Sequence, residues 1–417
     1  MADGGDQGQS DEGRRRREEQ RERLRGQLDL IQEKLGRDNV DADKGGNEDL
    51  ADARYLCRRQ AILIRDEDLD RVNRIVPGEV QDSLINGVTL FAPSGRRGLD
   101  VLREIDNELG VGVGTPDHVL YVTPASACPA TEPEETGTRE PDPGLATDVR
   151  CDGAGALVSV VDTGWIEGAD TAHAWLAGVS GDTEDIDSAS IHEYAGHGTF
   201  VAGVLRCMAP QAEVRVEGFL PRAGAIFESE IVKQLDQALN LAPDIISLSA
   251  GTNTRNNDAL LGFQRFWENR LRHCGGTVLV AAAGNDGNRG PFWPAAFPWA
   301  VGVGATARDG KRATFSNYGS WVDVYALGEG VVNAFATGTY TCKEPPHKGD
   351  IRRFDGMARW SGTSFSTPLV AGLIAARMSA TGQSGQQAAD ALLGIGQRNA
   401  VKGVGAFLEP GMACADL

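Results

Sequence analysis

Three short stretches of this chain put a serine, a histidine and an aspartate where acyl-transfer chemistry needs them. Ser364 lies in Trp360-Ser-Gly-Thr-Ser-Phe-Ser-Thr-Pro-Leu-Val-Ala-Gly372, between a Gly-Thr pair and an apolar run from Leu369 to Met378. That run predicts a buried helix with Pro368 in its first turn. A serine at a helix N-terminus meets unpaired backbone N–H groups and the positive end of the helix dipole, which favour charge developing on an attacked carbonyl oxygen. A hydroxyl is a poor nucleophile at neutral pH, so it needs a histidine as general base and a third group to hold the imidazole. His197 sits in Gly196-His-Gly-Thr-Phe-Val-Ala-Gly203, whose small residues let a helix pack beside the ring. Asp162 ends the apolar run Ala156 to Val161 and precedes Thr163-Gly164, the pattern of a buried strand whose last residue emerges into a crevice.

Asp-Thr-Gly at 162 to 164, the His-Gly-Thr-Phe-Val-Ala-Gly run and Gly-Thr-Ser-Phe-Ser-Thr-Pro at 362 to 368 stand in the order Asp, His, Ser. Together they resemble the subtilisin-like serine peptidases, the subtilase family of peptidase S8 type, over residues 154 to 408. The resemblance implies a serine endopeptidase with an Asp162–His197–Ser364 triad. It also makes the amide of Asn285, in Ala281-Ala-Ala-Gly-Asn-Asp-Gly287, the donor to the tetrahedral oxygen; by itself an Asn between glycines reads as a turn residue. Ser249, Ala250 and Gly251 resemble the family's substrate strand, and Gly284 is counted with them as substrate-binding, so an extended polypeptide is the expected ligand. The Pro294 to Trp299 and Phe315 to Gly319 stretches are assigned scaffolding roles. Two rival readings stand beside the endopeptidase: a catalytically silent scaffold of the same fold that binds peptides, and a latent protease held shut by its own front domain and released by a partner. An α/β-hydrolase esterase is disfavoured, because Ser364 lacks the Gly-x-Ser-x-Gly elbow and the chain order of the triad residues differs.

The elements that must carry these residues read as an α/β fold. From Gly155 onward, apolar strand-like runs at Leu157 to Val161, Val214 to Phe219, Ile245 to Leu248, Thr277 to Ala282 and Ala300 to Val303 alternate with helical stretches. That alternation predicts a parallel sheet with helices on both faces. Asp162, Ser249 to Gly251 and Ala283 to Asn285 each follow a strand, which predicts one cleft at the carboxyl ends. The segment Ala336 to Arg359, containing Cys342 and His347, reads as a long loop leading into the serine motif.

Ahead of this domain, residues 54–123 carry strand signals at Ala61 to Ile64, Gly87 to Phe91 and His118 to Val122, with helical periodicity at Leu69 to Val76 and Leu99 to Leu109. This suits a small α+β, ferredoxin-like unit. In the resembled family a unit of this size is propeptide-like, with its last strand leading into the cleft near Thr123 to Ser126; a permanent regulatory or adaptor domain is the other reading. Residues 124–153 read as an acidic, Pro-rich linker too poor in apolar surface to order itself. Residues 1–53 read as a charged, largely disordered arm with a short helix, on which Leu24, Leu28, Ile31 and Leu35 form one stripe; a regulatory protein partner could bind through it. The peptidase domain takes residues 154–417.

A formal charge of −18 speaks against a nucleic-acid partner. With neither an apolar signal region nor a membrane span in sight, a cytoplasmic location is expected by default. Seven cysteines at wide spacings suggest reduced thiols and no disulfide framework. Asp182, Glu184, Asp185 and Asp187 fit no EF-hand spacing, so neither a metal nor any other cofactor is expected.

Overall fold

A computed structural model describes residues 5–85, 87–122, 132–220 and 224–415. Helix α1 (Gly5–Leu35) leads into strand β1 (Val40–Asp43). There follow β2 (Tyr55–Arg65), α2 (Leu69–Ile75), β3 (Gly78–Ile85), β4 (Val88–Pro93), α3 (Gly98–Leu109) and β5 (Gly114–Tyr121). The body then runs β6 (Leu157–Val161), α4 (Ala169–Ala172), β7 (Val179–Gly181), α5 (His197–Met208), β8 (Glu213–Glu217), β9 (Ala225–Phe227) and α6 (Glu228–Ala238). It continues through β10 (Ile245–Leu248), α7 (Leu261–Asn269), β11 (Val278–Ala282), β12 (Ala300–Thr306) and β13 (Val324–Leu327). A hairpin, β14 (Val331–Thr341) and β15 (Ile351–Trp360), precedes α8 (Thr363–Thr381) and α9 (Gly385–Arg398).

The seven-stranded sheet has the order β13-β12-β11-β10-β6-β8-β7, and every neighbour pair is parallel. Its central strands β6, β10, β11 and β12 are buried on both sides because both faces are covered. Val158, Val160, Ile245, Val278 and Val280 join the core shared with α5, α8 and α9. Their alternates Val161, Ile246, Leu248 and Leu279 join the core shared with α6 and α7. Glycine permits the close crossing of α5 and α8, since a Cβ on Gly372 would stand 2.7 Å from the Leu205 carbonyl oxygen.

The front unit orders its strands β3-β4-β2-β5, with chain order strand-helix-strand-strand-helix-strand, the arrangement of a split βαβ sheet. One face packs under α2 and α3 through Ile62, Ile64, Phe91, Leu102 and Ile105. The other face meets the body, where Leu63, Val88 and Leu90 pack with Leu261 of α7. Strand β5 also pairs antiparallel with β9, so the front sheet continues into the body.

Four expectations from the sequence change here. Residues 5–53 are no largely disordered arm with a short helix: α1 runs for 31 residues and buries Leu28 and Ile31 against the body, and β1 pairs with β2. Segment 336–359 is mostly the β14–β15 hairpin, not a loop. Residues 132–143 are ordered, because the hairpin's edges offer backbone partners: Glu134 bridges to Arg359 and Asp142 to Val332, while the carboxylate of buried Glu132 accepts from the Tyr340 hydroxyl at 2.8 Å. And Cys151 is bonded to Cys414 across 263 residues, which ties the start of the body to its end. Sequence spacing concealed that pair because the fold, and not the chain, brings the two ends together. Cys57, Cys207, Cys274 and Cys342 are free thiols, and burial pushes that of Cys342 up to about 11.

Candidate active site

The order of the sheet delivers the site. Asp162 emerges from the end of β6 and is fully buried, and its Oδ1 accepts the backbone N–H of Thr163 at 2.8 Å. His197 opens α5, directly after Gly196 in the left-handed conformation (φ +73°), which turns the chain into the helix. The His197 Nδ1 lies 2.7 Å from Asp162 Oδ1, the distance of a strong charge-assisted hydrogen bond. Gly198 makes this approach possible, because a Cβ there would sit 2.4 Å from the Gly164 carbonyl oxygen. The imidazole is walled by Trp360 at 5.2 Å and Phe365 at 5.3 Å between ring centroids, which places it beside the Ser364 turn.

Ser364 is the second residue of α8, whose start is one turn earlier than the apolar run suggests. Pro368 consequently stands inside the helix, where it has no N–H to offer the carbonyl of Ser364 four residues back. The Ser249 hydroxyl donates to that carbonyl instead, at 3.1 Å, so the substrate-strand candidate also completes the serine's helix.

Asn285 follows β11 and is held by its carbonyl side: Oδ1 accepts from the Thr363 N–H at 2.8 Å and the Thr363 hydroxyl at 3.0 Å. Its Nδ2 is buried with no hydrogen-bond partner. Buried donors are normally satisfied, so an orphan amide marks a place kept for another acceptor. A Cβ on Gly362 would stand 3.6 Å from this Nδ2 and 3.7 Å from the Ser364 backbone nitrogen, so both donors border one small space. The loop is fixed by Asn317, which donates to the Ala283 carbonyl at 2.9 Å and accepts from the Asp286 and Asn288 N–H groups at 3.0 and 3.1 Å. Burial pushes the Asp286 carboxyl up to about 6. Gly284 (φ +91°) has no room for a side chain, with Asn317 Nδ2 2.6 Å from where its Cβ would be.

The end of β5 lies in this cleft. Tyr121 and Gly251 exchange both backbone hydrogen bonds, at 3.0 and 3.1 Å, and the Val122 N–H donates to the Gly224 carbonyl at 2.8 Å. The Ser364 hydroxyl donates to the Val122 carbonyl at 3.3 Å. Leu120 and Val122 enter the body's core with Leu220, Ile226 and Leu248. The face carrying Val119 and Tyr121 is covered by Leu28 and Ile31 of α1 together with Phe227 and Phe292. Gln27 of α1 also donates to the Tyr194 hydroxyl at 2.6 Å. The expected cut region, Thr123 to Ser126, lies outside the described residues.

The sequence-derived residues gather in one place: His197 bonds Asp162 and lies against Phe365, next to Ser364; Asn285 and Gly284 bond Thr363; Ser249 bonds Ser364; and Gly251 pairs with Tyr121 at the end of β5, where Ala250 packs with Leu120 and Val122. Thr363, Trp360 and Asn317 escaped sequence reasoning as site partners, because only the fold shows what each one holds. The acidic residues between Asp162 and His197 separate: Asp182 accepts from the Gly218 N–H, Glu184 from Gly196 and Thr163, and Asp187 from the Ala189 N–H. Among the described residues no group of three or more His, Cys, Asp or Glu side chains could hold a metal ion, and no helix is long and apolar enough to cross a membrane.

Comparison with known proteins accords with this geometry. The family model described as the subtilase family matches residues 153–394. Thermitase of Thermoactinomyces vulgaris is 31% identical over 245 residues, covering 56% of this chain and 78% of thermitase. A thermophilic serine proteinase of Bacillus sp. (strain AK1) is 31% identical over 276 residues, covering 60% of each. Among solved structures, fervidolysin from Fervidobacterium pennivorans, described as a keratinolytic enzyme related to subtilisin, aligns with a TM-score of 0.59 at 17% identity, over 86% of this chain and 61% of that one. The chain belongs to the subtilase family of serine peptidases.

Proposed function

We propose that this chain is a serine endopeptidase whose own front unit occupies the substrate cleft until it is cut. The observation that carries this is β5: it runs as a strand between Gly251 and β9 and brings the Val122 carbonyl to 3.3 Å from the Ser364 hydroxyl. An extended polypeptide would take the same backbone hydrogen bonds, which are available to any sequence, and would find apolar room where Leu120 and Val122 now sit.

In the reaction Ser364 Oγ attacks the scissile carbonyl while His197 takes its proton. Asp162 holds the Nδ1–H and stabilises the imidazolium, and Asn285 Nδ2 with the Ser364 N–H receives the oxyanion. His197 then protonates the leaving amine, and water repeats the sequence to release the acyl group. The peptide link cut in the chain itself falls beyond Val122 and before Glu132. Segment 132–143 would stay on the body through the hairpin contacts, and residues up to the cut would leave.

The test is hydrolysis of a denatured protein and of fluorogenic peptides by the full-length chain and by Ser364→Ala. Internal cleavage by the wild type alone supports an endopeptidase. Equal and saturable peptide binding by both chains, with no product from either, would favour the scaffold.

A further inference from the structure

One buried carboxyl near the triad has no place in that mechanism. Glu184 lies after β7, with its side chain only 6% exposed. Its Oε2 accepts from the Gly196 N–H at 2.9 Å and from the Thr163 hydroxyl at 3.3 Å. That same hydroxyl oxygen accepts from the Gly198 N–H at 3.2 Å. The two residues flanking His197 are thus both tied to one carboxyl, Gly196 directly and Gly198 through Thr163. Thr163 is in turn the residue after Asp162, whose Oδ1 holds His197 Nδ1.

Glu184 is itself fixed in place. Its N–H donates to the Trp165 carbonyl at 2.9 Å and the Trp165 N–H to the Asp182 carbonyl at 2.8 Å, so residues 182–184 run as a short parallel ladder beside the Asp162 turn. Gly164, at φ +124°, lets this happen, since a Cβ there would lie 3.1 Å from Glu184 Cβ. The other oxygen, Oε1, is 4.0 Å from His192 Nε2, a buried nitrogen with no hydrogen-bond partner, while His192 Nδ1 lies 2.9 Å from the Glu193 carbonyl. Burial pushes Glu184 up to about 8, and nearby Asp162 adds to the shift. Burying a carboxyl is unfavourable unless its hydrogen bonds are needed.

We propose that Glu184 is a positioning residue for the triad: its carboxyl pins the backbone on both sides of His197 to the turn that carries Asp162. This rests on the triad reading given above. It acts on the angle and distance at which the imidazole meets Ser364, so it should be felt in turnover and little in binding. Glutamine can keep both acceptor contacts through its amide oxygen. Aspartate is one methylene short of reaching both donors, and alanine reaches neither.

The experiment compares Glu184→Ala, Glu184→Gln and Glu184→Asp in the full-length chain, after any self-cleavage has finished, with active sites titrated by a fluorophosphonate. The low-field proton resonance of the His197–Asp162 hydrogen bond is recorded alongside. Alanine and aspartate should lower kcat by about 10–100-fold per titrated site with KM within about 3-fold, the size expected when a reacting group is misplaced by a fraction of an ångström to an ångström. Glutamine should restore kcat to within about 3-fold of the wild type and keep the resonance, which the other two broaden or lose. Wild-type kcat in the aspartate variant, or glutamine as impaired as alanine, overturns the assignment. If alanine does not fold, the glutamine–aspartate contrast decides alone. A folded wild type that neither labels at Ser364 nor hydrolyses peptide overturns the triad reading and this one with it. An active, Ser364-dependent wild type whose Glu184 variants keep their turnover overturns this one alone.

Discussion

The orphan Nδ2 of Asn285 and the doubly engaged Oδ1 beside it divide one side chain between structure and chemistry. On the proposed role of this amide as donor to the oxyanion, Asn285→Ala should lower kcat by about 10²–10³-fold with little change in KM, because such an oxygen carries charge only in the transition state. Steady-state kinetics on a peptide substrate check this; an equal rise in KM with kcat preserved would place the amide in ground-state binding. Glu184 gives a second residue-scale expectation, this time in stability. Its carboxyl is raised to about 8 in the fold, chiefly by burial, so between the ordinary glutamate value of about 4.3 and 8 the native state holds a proton that the unfolded chain has released. Its contribution to stability is complete below that window and is lost as pH rises through it. Glu184→Gln stays neutral throughout. The melting temperature of the glutamine variant relative to the wild type should therefore climb from pH 5 to pH 8 and level off above; parallel curves would contradict the raised value.

At the scale of elements, β5 is fastened to the body by side-chain hydrogen bonds to Ser229 as well as by backbone pairing, while Arg58 of β2, in the same front unit, neutralises Asp117 and reaches Glu230 of α6. Asp117, fully buried, accepts from Arg58 Nε at 2.8 Å, the Ser229 hydroxyl at 2.7 Å and the Ser229 N–H at 2.9 Å in the first turn of α6. Beside it His118 is kept neutral, its pKa lowered to about 3 by burial, while its Nε2 accepts the Arg255 N–H at 3.2 Å. Breaking one side of such a buried pair costs about 3–5 kcal/mol. Asp117→Ala should loosen the front unit, so that full-length protein hydrolyses peptide with an initial rate at least about tenfold higher, or after a shorter lag, than the wild type. An unchanged progress curve from a folded variant would mean that β5 does not limit access. How much of this was legible in the sequence follows from the physics of each element. Strands β6 and β10 could be read to the residue because each is apolar but for one serine and buried on both sides, and the candidate site residues stood out because they lie at or just beyond the ends of such elements. Strand β15, Ile-Arg-Arg-Phe-Asp-Gly-Met-Ala-Arg-Trp, was hidden by the charges on its exposed positions. Strand β3 was hidden by its polar alternation, and the bond between Cys151 and Cys414 left no local trace at all.

Over the whole molecule, the chain closes on itself three times. The β5 strand fills the cleft, α1 covers the outer face of β5 through Leu28 and Ile31, and the Cys151–Cys414 bond joins the two ends of the body. A disulfide across so long a loop removes much of the freedom of the unfolded chain, and Cys414→Ser should lose about 2–4 kcal/mol of stability under oxidising conditions, read as a lower denaturant midpoint. A midpoint unchanged by the substitution, and by reductant in the wild type, would show that the pair is not formed. Disulfides persist in oxidising compartments, which runs against the cytoplasmic location expected from the N-terminal sequence. On the proposed function, Ser364, served by His197, Asp162 and Asn285, is a working nucleophile that the front unit covers until it is cut. The most direct test is fluorophosphonate labelling of the full-length chain and of Ser364→Ala, followed by intact-mass analysis. Label on Ser364 of the wild type only, on a species that has lost everything up to a point between Val122 and Glu132, is the predicted result. A folded wild type that takes up no label, whether the front unit is present or removed, would contradict it.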